Sequence, residues 1–208
     1  MWNYLKKSFQ RKRARRITQE YPARVDAFAL EKTGRVEFAN WENPLIKSIE
    51  LEQSGVDFFS QFIKPGDLAI DIGANIGENT VLMALAAGKN GCTLGFDPNP
   101  FVFKILSRNA QLNPNKTNIV AVNHAITVEP ASFYYISSEA SFANGGLSPN
   151  PTSPHGRFVH TEKVTGVNLH NFLQANHAAM LDRLRFIKVD TEGYDKEILK
   201  SIGTVIDQ

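Results

Sequence analysis

Residues 67–80, Asp-Leu-Ala-Ile-Asp-Ile-Gly-Ala-Asn-Ile-Gly-Glu-Asn-Thr, constrain this chain more than any other stretch. The apolar run Leu68-Ala69-Ile70 leads to Asp71. Gly73 and Gly77 follow, and Val81 to Ala87 then reads as a helix. A strand, a tight glycine-rich turn and a helix form the opening unit of a nucleotide-type site in an α/β sheet. In such sheets ligands lie beyond the carboxyl ends of the strands.

The residues in the turn narrow the choice of ligand. A dinucleotide fingerprint G-x-G-x-x-G starting at Gly73 needs glycine at 75 and 78, where this chain has Asn75 and Glu78. Glu78 also puts a carboxylate at the helix start, where a pyrophosphate would otherwise sit. The acidic-x-G-x-G-x-G turn of S-adenosyl-L-methionine (SAM) enzymes fits better, with Asn75 in place of the middle glycine. SAM carries an ammonium and a sulfonium, which tolerate acidic neighbours. Its one carboxylate can use the backbone N–H groups of the turn. The alternative is a glycine-rich βα turn that binds nothing. The next strand, Gly91 to Phe96, ends in Asp97, 20 positions after Gly77. That is about where a second-strand carboxylate accepts hydrogen bonds from ribose hydroxyls; an Asp there can also be a simple turn former.

Three segments together, Asp71–Thr80, Phe96-Asp97-Pro98-Asn99-Pro100 and Ile187–Ser201 (Ile-Lys-Val-Asp-Thr-Glu-Gly-Tyr-Asp-Lys-Glu-Ile-Leu-Lys-Ser), resemble the FkbM-type family of SAM-dependent methyltransferases. The likeness runs from about Trp41 to Ser201. It implies a Rossmann-like α/β sheet with helices on both faces and SAM as cofactor. Asp71, Gly73, Asn75, Gly77, Asn79, Thr80 and Asp97 are then the expected cofactor residues. It also implies O-methylation of a small-molecule, sugar or glycan hydroxyl.

A chain of 208 residues with 42% hydrophobic content supports one ordinary domain with an N-terminal extension. No run approaches the roughly 18–20 apolar residues of a membrane span, and charge interrupts the N-terminus where a signal-peptide core would lie. The single Cys92 falls in a predicted buried strand and reads as a core residue. These features suit a cytoplasmic protein. The net charge of +2 conceals an asymmetry: residues 6–16 carry +7, which leaves −5 for the rest.

The predicted organisation has three parts. Residues 1–20 form a basic helix or arm, with Trp2, Leu5 and Phe9 at helical spacing. Residues 1–16 could attract an anionic membrane weakly, or the arm could be solvated and dock on its own domain. Residues 21–66 read as a hairpin (Val25–Leu30 and Arg35–Phe38, with Lys32-Thr33-Gly34 as turn) and a helix over Gly55–Ile63. Residues 67–208 form the SAM domain. There Phe101–Asn113 is a helix ended by Pro114, with Phe101, Ile105 and Leu112 towards the sheet. Asn118–Asn123 is the third strand. The loop after it meets the adenine, so Asn123, or else His124, is a cofactor candidate. Ser132–Ile136 is a short strand, and Ser137–His160 is a substrate lid presenting Ser141, Asn144, His155 or His160; the alternative is a mobile insertion. Lys163–Leu169 is a strand and His170–Ala179 a helix.

The strand Arg185–Asp190 and the helix from Tyr194 complete the reading. Transferred methyl and acceptor should meet beyond this fourth strand. Asp190 and Glu192 are therefore the catalytic candidates, with Asp190 the preferred base. Their spacing offers oxygen ligands, but two carboxylates alone do not make a metal site, so no metal is expected. The family sheet has the order 3-2-1-4-5-7-6, and only strands one to four are accounted for. The expectation is a sheet truncated after the fourth core strand, with an apolar edge and an incomplete acceptor wall. Two other functions remain open: an NAD-dependent oxidoreductase, against which Asn75 and Glu78 argue, and a non-catalytic module holding nucleic acid or membrane through the basic arm. In the methyltransferase reading no nucleic acid is expected.

Overall fold

The computed structural model describes residues 2–152, 156–191 and 194–206. Helix α1 spans Trp2–Ala14. Strands β1 (Ala23–Leu30) and β2 (Gly34–Trp41) pair antiparallel from Ala23↔Trp41 to Leu30↔Gly34. Gly34, at φ 78°, supplies the left-handed residue that the tight turn requires. Helix α2 covers Gln53–Phe59, shorter than the expected Gly55–Ile63. The chain continues as a turn in which the Ile63 N–H donates to the Phe59 carbonyl, so Val56, Phe59 and Ile63 are still buried together.

The central sheet follows. Strand β3 (Leu68–Ile72), helix α3 (Glu78–Ala87), strand β4 (Cys92–Phe96), helix α4 (Pro100–Asn109) and strand β5 (Ile119–Val122) alternate along the chain. Parallel strands covered on both faces need continuous apolar runs, and every residue of β3 and β4 is buried. Asn99 caps α4, its side-chain oxygen accepting from the Phe101 and Val102 N–H groups, with Pro100 in the first turn. The helix stops at Asn109, four residues short of the expected end. Beyond it the side chains of Asn109 and Asn113 serve the backbone of β2. Asn109 accepts from the Ala39 N–H (2.6 Å) and donates to the Ile76 carbonyl (2.7 Å). Asn113 accepts from the Glu37 N–H (2.9 Å) and donates to its carbonyl (2.8 Å). These amides satisfy the free edge of the hairpin, which otherwise carries unpaired polar groups.

The remainder contains the expected strands near Ser132–Ile136, Lys163–Leu169 and Arg185–Asp190 and the helix near His170–Ala179, but departs from the expectation in its pairing. Strands β6 (His124–Ile126), β7 (Ala131–Ser137), β8 (Gly146–Ser148) and β9 (Phe158–Val167) form a second sheet of order β6-β9-β7-β8. The expected Ser137–His160 lid is thus partly built into a sheet. Helix α5 (Leu169–His177) and a 3-10 turn, Ala178–Arg183, lead to strand β10 (Leu184–Val189) and helix α6 (Asp195–Ile206). The central sheet is parallel, in the order β10-β3-β4-β5. This is the four-one-two-three order implied for the first four core strands, with β3 as strand one. Among the described residues β10 pairs only with β3.

Side chains alternate across the sheet. Leu68, Ile70, Ile72, Leu94 and Phe96 pack with Leu169, Leu173, Ile198 and Ile202 from α5 and α6. Ala69 and Phe186 face the opposite core, built from the hairpin, α2, α3 and α4. Each large side chain so buried stabilises the fold by roughly 1.5–3 kcal/mol. Cys92 lies in the first core, where burial pushes its thiol up to about 11, so it is a packing residue. Ile72 pairs with Phe96 on one side and Val189 on the other. The three chains therefore leave the sheet level with one another, at Gly73, Asp97 and Asp190.

Candidate functional site

The turn after β3 is held in the left-handed region at three alternate residues: Gly73 (φ 76°), Asn75 (φ 51°) and Gly77 (φ 98°). A Cβ on Gly73 would lie 1.8 Å from the Asp190 carbonyl oxygen, so only glycine fits where β3 and β10 diverge. Asn75 shows why asparagine can replace the middle glycine. It is among the few residues that tolerate this conformation, and its side-chain oxygen accepts from the next N–H, that of Ile76, at 2.7 Å.

The backbone of the turn is already engaged. Gly73 and Ala74 N–H donate to the Phe96 carbonyl, Asn75 N–H to Asp97, Ile76 N–H to Asn75, and Gly77 N–H to the Ala74 carbonyl. The expectation that a ligand carboxylate uses these groups is therefore corrected. Among the described residues no side chain caps α3, and the available donors are the first-turn N–H groups of Glu78 and Asn79, two residues on the cavity wall. Burial raises the Glu78 carboxyl above its ordinary value.

This turn floors a cavity of about 500 Å³, within the usual range for small-molecule and cofactor sites. Gly73, Asn75, Asn79, Asp97, His124 and Asp190 line it; Asp71, Gly77, Thr80 and Asn123 lie behind the wall. Asp97 is almost fully buried. It accepts from the Asn75 N–H (2.8 Å) and the Asn99 N–H (2.9 Å), one on each oxygen. A carboxylate offers about four acceptor positions, so lone pairs remain for a ligand. Burial raises its carboxyl to about 6; the two N–H groups pull the other way, nearby Asp71 raises it further and Lys188 lowers it. Asn123 donates to the Asp97 carbonyl at 2.8 Å, so that amide braces the strand end. His124 lines the cavity with a buried Nδ1 that has no partner among the described residues. Burial also lowers its pKa, favouring the neutral ring.

Sequence reasoning missed Lys188. It stands opposite Asp71 in the β10–β3 register and two residues before Asp190, hence on the same side of the sheet. Its ammonium lies 3.1 Å from Asp71 Oδ1, close enough for an ion pair though not aligned as a hydrogen bond, and 3.4 Å from Asp190. The other oxygen of the fully buried Asp71 accepts from the Thr80 hydroxyl at 2.7 Å. Asp71 and Thr80 thus hold a lysine on the cavity wall. The available signal was a lysine inside an otherwise apolar strand ending in an acid. Asp190 is mostly exposed. Glu192, the other catalytic candidate, lies outside the described residues, as does His155.

The far wall comes from the expected lid. Ala143, Asn144, Gly145, Gly146 and Leu147 line the cavity beside Tyr135. Phe142 stacks on Phe101 with ring centroids 4.6 Å apart, and His160 meets both rings edge-on. Asn99 donates to the Phe142 carbonyl (2.8 Å) and the Tyr135 hydroxyl (3.0 Å). Phe101 is therefore a lid contact as well as a core neighbour. Of the four residues expected from the lid, Asn144 lines the cavity, while Ser141 is buried with a hydroxyl unpartnered among the described residues and His160 packs on aromatic rings.

A buried acceptor at one strand end, an orphan imidazole nitrogen beside it and free helix N–H groups fit an adenosine joined to an amino acid. Among curated proteins none matches this chain. Solved structures it resembles include Pyrococcus horikoshii TYW2 in complex with MeSAdo (19% identity over 42% of this chain and 33% of that one, TM-score 0.34). Others are Methanocaldococcus jannaschii Trm5 in complex with adenosine (17%, 50% and 30%, TM-score 0.34) and an arsenic(III) S-adenosylmethionine methyltransferase from Chlamydomonas reinhardtii (23%, 29% and 22%, TM-score 0.26). The chain spans less than half the length of each. The model of the methyltransferase FkbM domain matches residues 71–208, well over half of the chain and every site residue named above. This protein belongs to the FkbM methyltransferase domain family.

Proposed function

We propose that the cavity binds S-adenosyl-L-methionine and that the protein methylates a hydroxyl oxygen of a small-molecule, sugar or glycan acceptor. The observation that carries this reading is the placement of Asp97 and Asp190 just past the ends of the two strands flanking β3, about 10 Å apart at sheet spacing, with Gly73 between them. When bound, the cofactor supplies a methyl group on a sulfonium, open to in-line displacement. In this reading Asp97 accepts from the ribose hydroxyls and His124 faces the base. The N–H groups of Glu78 and Asn79 receive the amino-acid carboxylate. Asp190, held by Lys188, takes the proton of the acceptor hydroxyl as the new O–C bond forms and S-adenosylhomocysteine is released. Alignment of oxygen, methyl and sulfur supplies most of the acceleration. The lone buried thiol suits a reducing cytoplasm.

The test is calorimetric titration of S-adenosylhomocysteine into the protein, with Asp97→Ala as control. Micromolar binding that the variant weakens tenfold or more is the expected result. A folded protein that binds NADH and not S-adenosylhomocysteine would overturn the reading.

A further inference from the structure

Helix α1 is clasped at one end and open at the other. Ala14 is fully buried, the Arg11 Nε donates to the Pro44 carbonyl (3.2 Å), the Arg15 carbonyl accepts from the Ala140 N–H (3.2 Å), and Arg15 pairs with Glu139. Both anchor points adjoin the cavity rim: Pro44 precedes Ile46 and Ile49, and Ala140 precedes Ala143–Leu147, all of them lining residues. The rest of the helix projects from that rim.

The projecting part is two-sided. At about 100° per residue, Leu5 and Phe9 lie roughly 40° apart and point away from the face that buries Ala14. They are 55% and 67% exposed, and the neighbouring Tyr4 is 76% exposed. Lys6, Lys12 and Arg13 flank the Leu5–Phe9 stripe. Lys6, Lys7, Lys12, Arg13 and Arg16 are all exposed and enter no ion pair among the described residues. The sequence from Trp2 to Arg16 contains no acid. No helix among the described residues is long and apolar enough to cross a membrane. An apolar stripe bordered by cations is the pattern of a helix lying in a lipid–water interface. Nucleic acid would use the cations but leaves exposed aliphatic and aromatic side chains without a purpose on its phosphate backbone.

We propose that α1 docks this protein on an anionic lipid surface, inserting Leu5 and Phe9 between headgroups and setting the cavity rim beside the membrane. This goes beyond the methyl-transfer reading and does not depend on it.

The test is co-sedimentation of the full chain with phosphatidylcholine vesicles, with and without phosphatidylserine. Phosphatidylserine should raise binding strongly and salt should reverse the increase. Lys6→Gln/Lys12→Gln/Arg13→Gln should weaken binding roughly a hundredfold, at about fivefold per charge near an anionic surface. Leu5→Ser/Phe9→Ser should weaken it at least about tenfold. Unchanged melting temperature and S-adenosylhomocysteine affinity would confirm that these exposed substitutions leave the body intact; loss of that affinity in the wild type would count against the methyltransferase reading alone. Absence of binding to anionic vesicles, equal binding to both vesicle types, or binding indifferent to Leu5→Ser/Phe9→Ser would overturn the proposal. So would wild-type binding to RNA that survives Leu5→Ser/Phe9→Ser while vesicles fail to bind.

Discussion

The two ends of the cavity are built on different principles. Around Asp97 the carboxylate itself is fixed by backbone: two N–H groups hold it, and the Asn75 and Gly73 conformations are set by their neighbours. Around Asp190 the carboxylate is two-thirds exposed and paired with one lysine. A rigid pocket suits a ligand that never changes. The wall of Ala143, Gly145 and Gly146 is tied to the Asp97 side, through Asn99 and the Phe101–Phe142 stack.

The strongest way to break this contrast is Gly73→Ala, which affects both ends at once. The added Cβ meets the Asp190 carbonyl and the backbone conformation is strained, so a loss of at least about 3 kcal/mol is expected, read as a melting temperature lower by roughly 6–12 °C. Next comes Lys188→Met. It leaves Asp71 buried with only the Thr80 hydroxyl, at a cost of about 3 kcal/mol in urea denaturation. The double variant Asp71→Asn/Lys188→Met should recover part of that loss; if each substitution costs the same in either background, the pair is not coupled.

On the acceptor side, Asp190→Asn should lower methyl transfer at least about a hundredfold while leaving S-adenosylhomocysteine affinity within about twofold. On the cofactor side, pH separates the ends. The folded Asp97 carboxyl titrates near 6, above its ordinary value, so the folded state holds a proton that the unfolded chain releases earlier. Its contribution to stability is complete below about pH 4 and is lost as pH rises through about 6. Asp97→Asn should therefore gain stability relative to the wild type across that window, by up to about 3 kcal/mol. Cofactor affinity should run the other way, rising through pH 6 in the wild type and staying flat in the variant, as isothermal titration would record. The smallest effect expected is that of Ser141→Ala. Its buried hydroxyl has no partner among the described residues, so the variant should be neutral or more stable by under about 1 kcal/mol, with unchanged turnover. Lost turnover would put Ser141 back among the substrate-facing residues.

The Asp97 end was legible in the sequence because its elements are local. Strand β3, its turn and α3 are consecutive, and Asp97 follows one strand later, so apolar run, glycine spacing and acid fall within one stretch of 31 residues, 67–97. The order of the four parallel strands was legible through the family likeness. The lid was read only as composition: Ser, Pro, Asn and Gly predicted a loop, while tertiary pairing of Gly146–Ser148 with Tyr134–Ile136, and of Ala131–Ser137 with Phe158–Val167, made it part of a sheet.

The sequence by itself determined the strand–turn–helix unit, the left-handed positions that glycine and asparagine occupy, and the acids Asp97 and Asp190 just past two strand ends, since each depends on neighbours in the chain. Tertiary structure decided the pairing of Lys188 with Asp71, distant in sequence and adjacent only by strand register. It also decided the second sheet, the aromatic brace behind the lid and the clasp of α1 at the cavity rim. All of these join segments whose local pattern is compatible with several partners, and only the burial of apolar surface in one common core selects among them.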